Sequence, residues 1–254
     1  MDDALTKKAE RLREAFNLTP HAQLLAPEAK EPVLPAPMVE QLSRFNIEWH
    51  IIPSNESVPM DDAYMARFYP MAQRGFTQPR EHALSYRDVL IKGHRKHQGQ
   101  IIGVETTPKP RYLPGNRQFY GTPYGFDASI DPYAFYIGRA GMTNATRFNH
   151  NYLSLRAFIR VVSEDWHARK MMPEGYRLTV CPPAVFNLVG NVFHREWSET
   201  ETLELGFYRD EKGNATCYAV GSNAPGDFSY VNEVELETDW TLLGFRVALV
   251  PENH

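Results

Sequence analysis

Leu243-Gly244-Phe245-Arg246-Val247 opens an apolar run that reaches Val250, and it reads as the strand that closes the fold. Gly244 permits close backbone approach, and Arg246, an arginine within an apolar strand, can bridge backbone oxygens of neighbouring segments. Upstream, residues 202–210 and 215–221 are two strand-like runs around Asp210-Glu211-Lys212-Gly213-Asn214, the pattern of a hairpin. Tyr176 to Val180 reads as a strand that follows Pro173 and Gly175. Before it, Leu155, Phe158, Ile159, Val162 and Trp166 recur at helical spacing, which predicts a helix over residues 153–170.

Further toward the N-terminus, Phe45-Asn46-Ile47-Glu48-Trp49-His50-Ile51-Ile52 alternates and ends at Pro53, so the folded core is expected to start there with a strand. A short helix is expected over residues 60–68. Strands are expected at Asp88 to Ile91 and Gln100 to Glu105, flanking a basic turn from Gly93 to Gly99. Residues 106–133 are rich in Pro, Gly and Tyr and carry little periodicity. Such long loops in compact domains tend to serve function or interfaces. Their aromatic residues, among them Tyr112, Phe119, Tyr120, Tyr124 and Phe126, suit either a contact surface or the filling of a loop-rich core. At the start of the chain, Leu5, Ala9, Leu12 and Phe16 predict an amphipathic helix over residues 3–17. Pro20, Pro27, Pro32, Pro35 and Pro37 then predict an extended arm. The expected organisation is therefore a helix and proline-rich arm over residues 1–44 and one globular α+β domain over residues 45–254. The arm suits a protein partner or a second copy of the chain, or else a loosely held tail.

Composition narrows the function classes. The chain has 254 residues, 43% hydrophobic and 23% charged. A chain of that size buries roughly 70 to 75% of the surface it exposes unfolded, so it needs no disulfide or structural metal to be stable. A formal net charge of -4 makes no field that gathers a polyanion, which argues against nucleic acid. Cys181 and Cys217 are too few for a disulfide framework or a cysteine zinc site, and a reducing compartment fits them. The start Met1-Asp2-Asp3 has no apolar leader, and no window has the roughly 18 apolar residues of a membrane span, so a cytoplasmic address without membrane partners is expected.

Read in order, the second half of the chain resembles the formylglycine-generating-enzyme (sulfatase-modifying factor) family. Phe135-Tyr136-Ile137-Gly138-Arg139 with Met142-Thr143-Asn144-Ala145 looks like that family's strand and helix start. Gly175-Tyr176-Arg177-Leu178-Thr179 is similar to its Tyr-Arg-Leu element, and Val185 to Val192, with Trp197 beyond, to its Gly-Asn-Val turn. Val220-Gly221-Ser222-Asn223 resembles its Gly-Gly-Ser-Trp segment, and Leu243 to Val247 its closing Gly-Phe-Arg strand. The resemblance covers residues 130–250 and implies a C-type-lectin-like fold: a loop-rich mixed or antiparallel sheet with a few helices. Catalytic members of the family bind copper through a cysteine pair between the last two segments, and this chain has none there. The resemblance therefore implies a non-catalytic lectin-like binding or assembly module. Ligand would meet its long-loop face at Asn223, Asp227, Tyr230 and Trp240.

Two alternatives stay open: a divergent metal-dependent oxidoreductase on the same scaffold, and a structural component of a larger particle. For the first, His94 and His97 stand at i, i+3 in a glycine-flanked turn and could share a metal with a third ligand from Glu48, His50, His150, His167 or His194. The competing reading is a solvated basic loop, since Arg95 and Lys96 repel a cation. His194 and Glu196, at i, i+2, form a candidate acid/base pair. Asn- and Asp-rich loops suit calcium, but no calcium loop is recognisable. The sequence specifies no cofactor.

Overall fold

The computed structural model describes residues 3–68, 91, 93–115, 117–122, 124–125, 127–209, 214–221 and 230–252. The eight strands found there form two four-stranded sheets. In the first sheet the order is β1 (Ile47–Ile52), β2 (Gln100–Glu105), β8 (Val247–Pro251) and β3 (Tyr176–Val180), all antiparallel. In the second it is β6 (Tyr230–Val234), β5 (Ala215–Gly221), β4 (Leu203–Arg209) and β7 (Leu243–Gly244), with β7 parallel to β4. The chain is thus α+β with mixed sheets.

Both sheets are apolar on both faces. Along β8, Val247 and Leu249 join one core cluster while Ala248 and Val250 join the other. Along β5, Cys217 and Ala219 alternate in the same way with Tyr218 and Val220. This is the two-residue period of a strand covered on each side. Helices supply the covers. α5 (Tyr152–Ala168) buries Leu155, Phe158, Val162 and Trp166 on one side, and its cap, Asn151 Oδ1, accepts from the Ser154 backbone N–H at 3.0 Å. α1 (Asp3–Phe16) and α6 (Pro183–Val192) cover the other. Leu5, Ala9 and Leu12 of α1 pack in the same cluster as Ile51 of β1 and Val189 of α6. The apolar stripe of α1 is therefore satisfied within its own chain, and Val33 and Val39 are the large apolar side chains that the arm leaves exposed among the described residues.

Several expectations need correction. The proline arm is not extended throughout: α2 (Ala36–Ser43) starts within it, because proline in a first turn lacks only an N–H that has no helical partner. Residues 134–139 form helix α4 (Ala134–Arg139) rather than a strand, since the buried residues Tyr133, Tyr136 and Ile137 fall at i, i+3, i+4. The expected turn at Gly190 is the end of helix α6, of whose ten residues only Asn191 is not buried. The expected strand at 88–91 lies outside the described residues except for Ile91, which is helical, as are Gly93 to Arg95. The expected short helix is α3 (Asp62–Phe68).

The closing segment is two strands, not one. The chain leaves the second sheet after Gly244, passes Phe245 and Arg246, and enters the first sheet at Val247. A Cβ on Gly244 would stand 2.6 Å from the Tyr120 hydroxyl, so only glycine fits this passage. Arg246 ties the sheets together. Its Nε and Nη2 each donate to the Glu204 carboxylate on β4 at 2.7 Å, Nη1 donates to the Glu105 carbonyl on β2 at 2.7 Å, and the guanidinium lies 3.6 Å from the Trp197 ring centroid. Beside it, buried Arg147 pairs with Asp131 and Glu105 between the rings of Tyr120 and Tyr133. Lys109, also buried, donates to the Thr202 carbonyl at 2.6 Å. Among the described residues, the buried Asp, Glu, Lys and Arg are these six: three anions and three cations. The loop region 106–134 thus contributes core charges and aromatic filling as well as surface.

Candidate functional site

Alternation along β1 places Glu48 and His50 on one face of the strand, and α1 lies across that face. α1 carries Lys8 to them: its Nζ lies 2.8 Å from Glu48 Oε2, 3.0 Å from the Trp49 carbonyl oxygen and 3.2 Å from His50 Nε2. The segment after α6 adds His194, whose Nε2 is 3.7 Å from Glu48 Oε2 and whose Nδ1 is 2.9 Å from Glu196 Oε1. Thr106 Oγ1 donates to the other Glu48 oxygen at 3.2 Å. His50 is fully buried, His194 is mostly buried, and Glu48 reaches the surface. The His194 contact, then the Lys8 ammonium, hold the Glu48 carboxyl below the usual carboxylate range, although partial burial acts the other way. Burial, then the charges of Lys8 and His194, push His50 well below its ordinary value. Glu48, His50 and His194 are the set of three metal-capable groups found among the described residues, with ligand atoms within 4.8 Å of one another.

Next to this cluster lies a cleft of about 590 Å³ between α1, α3, α6 and the 3₁₀ turn Arg195–Glu199. Among the described residues, three guanidinium groups line it, Arg11 from α1, Arg67 from α3 and Arg195, together with Asn191 and a single carboxylate, Glu14. Arg67 Nη1 donates to the Ala15 carbonyl at 2.6 Å and Arg195 Nε to the Asn191 carbonyl at 3.2 Å. These bonds orient two of the side chains while using one N–H each of the five that a guanidinium carries. Phe193 joins cleft and cluster: Lys8 Nζ and Arg11 Cζ lie 5.9 and 5.4 Å from its ring centroid, and His50 packs against it at 5.0 Å.

The residues expected from sequence to bind metal or ligand are placed differently. His94 and His97 are buried, not in a solvated loop, and burial pushes His94 down to about 4. Neither belongs to the three-ligand group among the described residues. Asn223 and Asp227 lie outside the described residues, Tyr230 begins β6, and Trp240 is 42% exposed in the segment before β7. His194 and Glu196, expected as an acid/base pair, are in hydrogen-bond contact. The arginine cleft escaped the sequence reading because its three cations come from separate elements with no shared spacing. Compared with known proteins, the chain matches no protein-family model, no curated protein and no solved structure.

Proposed function

We propose that this chain is a binding module that recognises a small anion, a phosphate- or carboxylate-bearing molecule, in the arginine-lined cleft. The observation that carries this reading is the convergence of Arg11, Arg67 and Arg195 on one concavity against a single carboxylate among the described residues, Glu14. Forked guanidinium donors match the oxygens of phosphate and carboxylate in pairs. Kinship with C-type-lectin-like domains is part of the proposal, and its support is local: the Gly-Phe-Arg segment and the 185–192 segment meet where Arg246 lies 5.7 Å from the Phe186 ring. A cytoplasmic address belongs to the same reading, supported by two free, buried cysteines. Among the described residues, no helix is long and apolar enough to cross a membrane.

Titration calorimetry with inorganic phosphate, pyrophosphate and citrate at low salt tests the cleft. One saturable site is expected, tighter for pyrophosphate than for phosphate and weakened by added salt. Arg195→Gln, on the surface of the cleft, should remove a charged hydrogen bond worth about 1.5–3 kcal/mol, or about tenfold to a hundredfold in affinity. Absence of saturable binding by all three anions, or undiminished binding by the variant, overturns the assignment.

A further inference from the structure

We infer that Glu48, His50 and His194 form a binding site for a divalent transition metal, zinc being the best match, and that the Lys8 ammonium competes with the metal for Glu48 and His50. In its neutral form, with the Nδ1 proton directed at the Glu196 carboxylate 2.9 Å away, His194 presents the Nε2 lone pair to the cluster, and this buried nitrogen has no hydrogen-bond partner among the described residues. His50 Nε2 accepts from Lys8, and Glu48 Oε2 is an acceptor when ionised. Two of these acceptors therefore converge on one donor, the cation at the end of the flexible Lys8 stem, and His194 Nε2 faces the same Glu48 oxygen at 3.7 Å. His50 also buries Nδ1 without a hydrogen-bond partner among the described residues, although nearly all buried polar atoms have one.

The dimensions fit. Zinc bonds of about 2.0–2.1 Å place tetrahedral ligand atoms about 3.4 Å apart. Here His50 Nε2 and His194 Nε2 each lie 3.7 Å from Glu48 Oε2. The three ligand atoms all lie within 4.8 Å of one another, so contraction of at most about 1.4 Å, within side-chain rotation, closes the set. Two imidazoles and a carboxylate leave a fourth position open, toward the exposed side of Glu48. Glu196 behind His194 stands where a carboxylate orients a ligating imidazole and raises its basicity. Loading requires Lys8 to swing into solvent with its charge, which its partly exposed position on α1 allows.

The test is a cobalt(II) titration of tag-free protein followed by visible absorbance, with zinc as competitor. The variants are Lys8→Met, His194→Ala and Glu196→Gln, each checked for fold by circular dichroism. One equivalent of cobalt is expected, with the strong absorbance of a tetrahedral site and displacement by zinc. Lys8→Met removes the competing cation and should tighten binding about tenfold. His194→Ala should abolish it, and Glu196→Gln should weaken it about tenfold to a hundredfold. Lys8→Met binding no tighter than the wild type, or His194→Ala binding as the wild type does, overturns the site. Neither outcome depends on the anion cleft, whose arginines these variants leave in place.

Discussion

Arg246 shows how much one residue decides here and how little of that is visible locally. An arginine inside an apolar strand signals a bridging role, and one of its bonds does go to a backbone oxygen, that of Glu105. Its carboxylate partner was not legible. Glu204 sits in a hairpin, where alternation gives every second residue an outward reading, yet it is 2% exposed and also accepts from the Tyr120 hydroxyl at 3.0 Å. Arg246→Met leaves that carboxylate buried without its cation and should cost about 3–5 kcal/mol in urea unfolding. Arg246→Met with Glu204→Leu removes both ions and should recover most of the loss, since apolar replacement of a whole buried pair is often neutral. A double variant as unstable as the single one would show that the uncompensated charge is not the cause. Lys109, pushed down to about 7 by burial ahead of the nearby charges, belongs to the same set of buried charges.

Among the elements, legibility followed periodicity. α5 has one apolar stripe and a polar back, and its bounds agree with the expected 153–170 within two residues. The same holds for β3 and for the β4–β5 hairpin, whose register runs from Leu203 opposite Gly221 to Arg209 opposite Ala215. α6 was read as a turn for the opposite reason: a helix buried almost all round has no polar face to set a period, and Gly190 and Asn191 look like turn residues. Its position depends on Gly206 of β4, where a Cβ would come within 2.9 Å of the Pro183 ring. α1 was legible as a helix but not as core, because amphipathicity does not say which molecule supplies the partner face. Leu12, fully buried against β1 and α6, decides between arm and core. Leu12→Ala should cost about 2–5 kcal/mol by urea titration. Truncation of residues 1–17 should remove cooperative unfolding. A loss under about 0.5 kcal/mol, the range of surface substitutions, would return α1 to the role of an accessory arm.

For the molecule as a whole, buried imidazoles set the response to acid. Burial holds His50 well below its ordinary value, brings His94 down to about 4 and lowers His150. An imidazole with a depressed folded pKa stays neutral in the fold while the unfolded chain takes up a proton below about pH 6.5. Its stabilisation is therefore complete above that pH and lost as pH falls toward the folded value. Glu105 opposes this, because burial raises its carboxyl, and between its unfolded and folded values the native state holds the extra proton. That offset is at most about one proton, whereas His50 and His94 together account for about two near pH 5. Unfolding near pH 5 should then take up at least about one proton, so stability should fall by about 1.4 kcal/mol or more per pH unit. Urea titrations from pH 7.5 to 5 measure that slope. His94→Gln, which removes a titrating ring whose two nitrogens lack hydrogen-bond partners among the described residues, should reduce it by about one proton. Stability that is flat or rising on acidification would mean that the carboxyl contribution outweighs the imidazoles, and that the balance of three buried anions with three cations, not the neutral histidines, governs the response of this fold to pH.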